Sequence, residues 1–496
     1  MRRLFLGFLA TLASLALGWT PAEAAGTLRA AVGSDLNTLD AHKAKIGEEY
    51  NVLFLVFSGL TQLDRSMKAQ PDLAEKWERS DDLKTWTFHL RKGVKFHHGR
   101  ELDSSDVVAN VERVLDKATA SVARTNLLVV DKVEAVDKHT VRFQLKVPYS
   151  TFPELLGERQ LKIIPKDKFD TAAREPVGSG PFKFKTWIPS DRVDLVRNPD
   201  YFGGPAKLDG VTIKIIKESA AQIAALESGQ VDLIWQVPLE AIQKVKQNPD
   251  TVVDSVPTSS WDALVMNQAH KPFNDVRVRQ AVALVIDKPA LVELALFGNG
   301  TPTHTPIPPV SPYFNKTLPI KTDAAKAKKL LAEAGFPNGF EVTLYVPVGR
   351  PTRERYGIAA QQMLKEIGIK ADVQRVPWDK FVADIEGKAA FYTDGFFSRP
   401  TIDTSTYAWY HSGGSWNTTL WNYKNPETDK LLDAARGAKS EDELARILNK
   451  FQEVAVNDSP GVIGYVWNHV NAHRKNVKGF KSHPMMWLDV KDVTVQ

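Results

Sequence analysis

Hydrophobic and polar residues alternate strictly over residues 84–91, with Trp86, Phe88 and Leu90 on one face and Thr85, Thr87 and His89 on the other. This period of two predicts a half-buried antiparallel strand. Val141, Phe143, Leu145 and Val147 repeat the pattern until Pro148 and Pro153 end it. Between these strands, Asp103-Ser104-Ser105-Asp106 offers N-caps to a helix marked by Val108, Val111, Val114 and Leu115. Gly93 and Gly99 bound VKFHH, which reads as a second short strand. Residues 48–59 are apolar enough to form a buried helix. Further on, Val211, Ile213 and Ile215 alternate, and Ser219 with Gln222 reads as a capping box. The helix that follows buries Ile223 and Leu226, stops at Gly229 and returns as a strand over residues 231–235. Residues 264–267 read as a brief strand. Thr322 then caps the first element of a helix, strand, helix, strand run over residues 322–376. Two further helices and a late strand at 462–466 complete an α/β pattern.

Length and composition add class and address. The chain has 496 residues, beyond the size at which one core keeps growing, so two or three lobes are expected. Its formal net charge of +5 comes without a long basic run, which gives no footprint for nucleic acid. Arg2 and Arg3 precede the apolar run LFLGFLATLASLALGW, and Ala22-Glu23-Ala24 follows as a small-x-small cleavage site. Residues 1–24 therefore read as a secretory signal peptide. The twin-arginine resemblance is partial, so the general secretory route is expected. With no cysteine anywhere, disulfides, thiolate chemistry and a lipid-modified cysteine are excluded. The mature protein is expected free in a bacterial periplasm, since no later stretch approaches the ~20 apolar residues of a membrane span.

The usual catalytic signatures are missing, among them the phosphate loop GxxxxGK[ST] and the GxSxG elbow. Gly178-Ser179-Gly180 lacks the third glycine of a dinucleotide fingerprint and reads as a turn. His97 and His98 face opposite ways on a strand and cannot share a metal. His469 and His473 lack the glutamate of HExxH. No catalytic residue, metal or cofactor is expected. A secreted hydrolase or lyase would have to rest on Ser179 or on the His469/His473 pair.

Residues 395–423 break every period. GFFSRPTIDTSTYAWYHSGGSWNTTLWNY holds eight aromatics, with Arg399 and Asp403 as its only full charges. Aromatic walls with a few placed polar groups are what a small-molecule pocket needs. Phe397, Trp409, Tyr410 and Trp416, with Arg399 and Asp403, are the candidate ligand contacts. An aromatic-rich loop packing one lobe would show the same composition.

PDLAEKWERSDDLKTWTFHLRKGVKFHHGRELDSSDVVANVERVL, at 71–115, resembles the signature of the family 5 extracellular solute-binding proteins. The resemblance continues through GSGPFKFKTW, RNPDYFGG and ALESGQVDLI, then MNQAHKPFNDVRVRQAVALVIDKPALV, AKKLLAEAGFPNGFEV and NYKNPETDKLLDAA. It implies a two-lobed class II periplasmic-binding-protein fold with an extra α+β domain inserted in the first lobe. Mapped here, lobe I is 25–58, 178–262 and 474–496, the insert is 59–177, and lobe II is 263–473. The implied role is the periplasmic component of an ABC importer, usually monomeric. It captures a peptide or related small polar ligand between the lobes and delivers it to a membrane permease. Dipeptide receptors of the family resemble YVPVGRP at 345–351, where the arginine holds the ligand carboxylate; here that residue is Arg350. They also place an aspartate for the ligand ammonium shortly after a Gly-aromatic pair, and Arg399 stands there instead. Either Asp403 takes the ammonium or the ligand has none there, as in a sugar acid, an opine-like conjugate or another carboxylate.

Overall fold

The computed structural model describes residues 26–397, 399, 401, 403–414 and 416–496. The expected signal peptide and the side chains of Asp403 and Thr419 lie outside the described residues.

One eleven-stranded sheet runs through both lobes. In the first lobe Thr27–Val32 lies parallel between Gly210–Ile215 and Leu233–Ile234. In the second, Glu341–Pro347 pairs in parallel with Lys370–Val376 and touches Phe391–Phe396. Helices joining these parallel strands cover the sheet, as crossover connections require. Two long antiparallel strands, Thr251–Met266 and Gly461–Arg474, join the lobes. Residues 251–257 pair with 468–474, of which Ala472 and His473 also pair with Leu233–Ile234. Residues 261–265 pair instead with 461–466, and residues 261–266 pair on their other edge with Phe391–Phe396. The register slips between Pro257 and Trp261, where a proline cannot donate a ladder bond. Each long strand therefore belongs to one lobe at one end and to the other lobe at the other.

The first of these strands is far longer than the four residues expected. Only its second half is buried throughout, so its first half carries no core-facing period to read.

The insert is a four-stranded antiparallel sheet in the order Ala74–Arg79, Thr85–Leu90, Thr140–Leu145, Val130–Asp137. Trp86, Phe88 and Leu90 are buried as the alternation requires. The helix Ser104–Leu115 packs on the sheet, its N-cap Asp103 accepting from the Ser105 N–H at 2.9 Å. VKFHH forms no strand; the chain turns at Gly99, with φ of 98°, and leaves a single bridge between Lys95 and Glu101. The capping box at Ser219 is also absent. Gln222 donates through Nε2 to the Ile216 carbonyl at 2.6 Å, and Glu218 is the N-cap. The cap expected at Thr322 belongs to Asp323, which accepts from the Lys326 N–H at 2.8 Å.

Gly178 and Gly180 are explained by packing. A Cβ on Gly178 would lie 2.1 Å from the Val56 carbonyl oxygen, and one on Gly180 would lie 2.6 Å from that of Leu55. The turn is thus pressed on the end of the helix Gly47–Val56, and Ser179 is buried beneath it.

The insert also touches lobe II. Ser150 donates through its N–H to the Arg436 carbonyl at 2.8 Å and through its hydroxyl to that of Ala435 at 3.1 Å. Arg79 donates to the Lys439 carbonyl at 2.9 Å, and Lys68 pairs with Glu441 at 2.5 Å. These four bonds hold the insert on the ends of the helices Pro426–Arg436 and Glu441–Asp458.

Candidate ligand-binding cleft

A narrow recess of about 40 Å³ lies where the insert faces lobe II. Met67, Lys68 and Glu154 line it from the insert, Tyr313 and Arg399 from lobe II, and Ser259 from the crossing strand. Ser259 fixes Arg399 through the backbone: its Oγ accepts from the Arg399 N–H at 3.1 Å and donates to the Arg399 carbonyl at 3.2 Å. Among the described residues the guanidinium of Arg399 makes no ion pair. Burial pulls its pKa below the ordinary arginine value, and the nearby charge of Glu158 works against that pull. An arginine fork taken out of water without a partner is costly, and a ligand carboxylate is the group that best satisfies it.

The strand that delivers Arg399 is anchored by a buried network. Arg353, on the helix Pro351–Lys365, pairs with Asp394 at 2.7 Å and Asp262 at 3.3 Å, and donates to the Gly395 carbonyl at 2.6 Å. Asp262 also accepts from the Tyr465 hydroxyl at 2.9 Å and from Trp467 Nε1 at 3.1 Å. Burial pushes both carboxyl pKa values up, while Arg353 pulls them down.

The other expected contacts are scattered. Trp409 and Tyr410 were expected to wall the ligand, yet both are core residues, 2% and 3% exposed. Trp409 packs edge-on to Trp261 at 4.9 Å and against Phe396 at 4.4 Å. Tyr410 sits among Trp421, Tyr423 and Phe451. Trp416 is 39% exposed and meets Phe396 edge-on at 5.7 Å. Phe397, 44% exposed, stands edge-on to Trp467 beside the crossing strands. Arg350 does not line the recess; it is exposed at the start of its helix and stacks over Trp378 at 4.4 Å. The side chain of Asp403 lies outside the described residues. Lys68, Glu154 and Ser259 were missed by sequence reasoning, because nothing in their local pattern separates them from other surface polar residues. Tyr313 lies in the Pro-rich stretch 299–319, whose long aperiodic run was the available signal.

His469 and His473 do not act as a pair. They are four residues apart on an extended strand, so their Cα atoms are ~13 Å apart. His469 packs on Trp235, and neither of its ring nitrogens has a partner among the described residues. Among the described residues the Ser179 hydroxyl likewise has no hydrogen-bond partner.

Buried histidines make stability depend on acid. Burial lowers His469 and His483 to about 3, and His42, His97 and His304 to about 4. Unfolding returns each to about 6.5, so below that pH the unfolded chain binds more protons and the fold loses stability down to the folded values. Each histidine contributes a slope of about 1.4 kcal/mol per pH unit. Glu386, raised to about 7 by burial and by Asp394, opposes the trend. The melting temperature is expected to fall between pH 6.5 and 5, and His469→Leu is expected to make that fall shallower. Parallel pH profiles in thermal denaturation would rule out the contribution of His469.

Two α/β lobes joined by two crossing strands, with a recess between the insert of the first and the second lobe, define a protein that holds a solute between its lobes. The model of the bacterial extracellular solute-binding proteins, family 5 middle domain, matches residues 68–418. The chain is 32% identical over 491 residues to the glutathione-binding protein GsiB of Escherichia coli K12, covering 96% of each. Its structure is similar to DppA from Helicobacter pylori in complex with the peptide STSA, with a TM-score of 0.79, 28% identity, and coverage of 95% and 98%. It is also similar to HbpA2 from Haemophilus parasuis, with a TM-score of 0.86, 26% identity, and coverage of 95% and 100%. The chain belongs to family 5 of the bacterial extracellular solute-binding proteins. It is a substrate-binding protein of the kind that serves ABC importers. Among the described residues no helix is long and apolar enough to cross a membrane.

Proposed function

We propose that this protein captures a small carboxylate-bearing peptide, glutathione or a close relative, for an ABC importer. The observation that carries this reading is the Arg399 guanidinium, which lines the recess without an ion pair. Similarity to a glutathione-binding protein along almost the whole chain supports it. The lobes close about residues 257–261 and 466–468, where the crossing strands change partners. The ligand then bridges both lobes, and the permease reads the closed form. The mature chain works in the periplasm as a monomer after loss of residues 1–24. It releases its ligand unchanged.

Thermal denaturation and calorimetry of protein unfolded and refolded to strip carried-over ligand test this reading. At a hundred times its Kd, glutathione is expected to add about 2.7 kcal/mol of stability. Mass spectrometry of small molecules released from protein as first purified should find a peptide of the same charge class. Failure of glutathione, dipeptides and oligopeptides alike to bind would defeat it.

A further inference from the structure

The recess holds one more charge outside any ion pair. Glu154 projects from the short helix Phe152–Leu156 of the insert and lines the same recess as Arg399. Among the described residues it makes no ion pair. Lys68, the other cation lining the recess, is already engaged by Glu441 at 2.5 Å. Burial raises the Glu154 pKa; the backbone N–H groups of Glu154 and Ala69 and the charge of Lys68 only partly compensate, and Glu441 adds to the rise. Tyr313, also in the wall, is pushed up to about 12 by burial and by the charges of Glu441 and Glu154.

Two desolvated charges of opposite sign therefore line the recess, a carboxylate from the insert and a guanidinium from lobe II. A buried charge is tolerated when a partner arrives with it. A dicarboxylate would satisfy Arg399 and leave Glu154 opposed, and a diamine would do the reverse. A molecule with one free ammonium and at least one carboxylate satisfies both. We propose that Glu154 receives the ammonium of the ligand, so that the recess selects amino-acid or peptide zwitterions over acids that lack a free amine. The inference rests on the recess being the ligand site, as proposed above.

Calorimetry with refolded protein separates the two readings, with glutathione and its N-acetylated form as probes. Acetylation removes the positive charge and leaves both carboxylates. The natural protein is expected to bind the acetylated probe at least tenfold more weakly. In Glu154→Gln the two affinities should come within about threefold of each other, through weaker binding of glutathione itself. Glu154→Asp keeps the charge and should retain a preference for the free amine. Because Glu154→Gln removes a desolvated charge and keeps the shape, its unliganded melting temperature should be no lower than the natural protein's. Equal binding of the two probes by the natural protein would overturn the role of Glu154 and leave Arg399 in place. So would a tenfold preference surviving in Glu154→Gln. No binding of either probe to the natural protein would overturn this inference together with the site reading.

Discussion

Arg399→Ala should lose about 2–5 kcal/mol of affinity for a carboxylate-bearing peptide, roughly thirtyfold to several thousandfold. The same change should leave the unliganded protein equally stable or slightly more so. The two signs have one cause. The guanidinium is desolvated in the recess, its pKa pulled down by burial, and it has no ion-pair partner among the described residues. Removing it from the empty protein removes a cost; removing it from the complex leaves a ligand carboxylate buried without its counter-charge. Arg399→Lys keeps the charge but loses the planar fork, so it should fall between the two. Calorimetry and thermal denaturation on the same samples decide the matter. Unchanged affinity in Arg399→Ala would remove it from the site, and a large loss of unliganded stability would make it structural.

Arg353→Met should destabilise the fold by about 3–5 kcal/mol. Arg353 is the cation between Asp262 and Asp394, and it also donates to the Gly395 carbonyl. Methionine fills much of the space yet leaves two buried carboxylates facing each other. Burial already raises both pKa values, and loss of Arg353 should raise them further. A carboxyl raised in the folded state binds more protons there than when unfolded. Its cost is therefore full at neutral pH and is relieved as pH falls through the folded pKa. The gap in stability between Arg353→Met and the natural protein should narrow on acidification, which chemical denaturation at pH 7.5 and 5.5 can follow. A gap that is constant with pH would mean that packing, and not charge, explains the loss. Because Asp394 and Gly395 lie on the strand that leads to Arg399, this network also sets where the site's cation stands.

Much of the architecture was readable because it follows local period. The insert's alternating strands, its Asp103-capped helix and the helix–strand run of 322–376 each bury one face, and that face leaves a stripe in the sequence. Elements without such a stripe were misread. VKFHH alternates, but the positive φ at Gly99 turns the chain before it can pair. Gln222 has the right spacing for a capping box, yet the Ile216 carbonyl offers its amide a better partner.

The aromatic stretch at 395–423 shows where composition runs out. Density of aromatics pointed to a ligand pocket; the structure packs Trp409, Tyr410, Trp421 and Tyr423 into the lobe, while Arg399 within the segment lines the recess. Composition cannot say which ring faces a ligand and which faces the lobe. Trp409 and Tyr410 turned inward because Trp261 and Phe451, distant in sequence, supply edge-on partners there. Glu154 lies 245 residues before Arg399, and only the packing of the insert against lobe II brings them to one recess.

By itself, then, the chain's sequence determined the family, the α/β class and the absence of the common catalytic signatures. Those properties reside in local patterns and motifs carried along nearly its whole length. Tertiary structure alone decided which charges share the cleft. The reason is physical: a binding site between lobes is built from desolvation, and burial depends on what arrives from elsewhere in the chain.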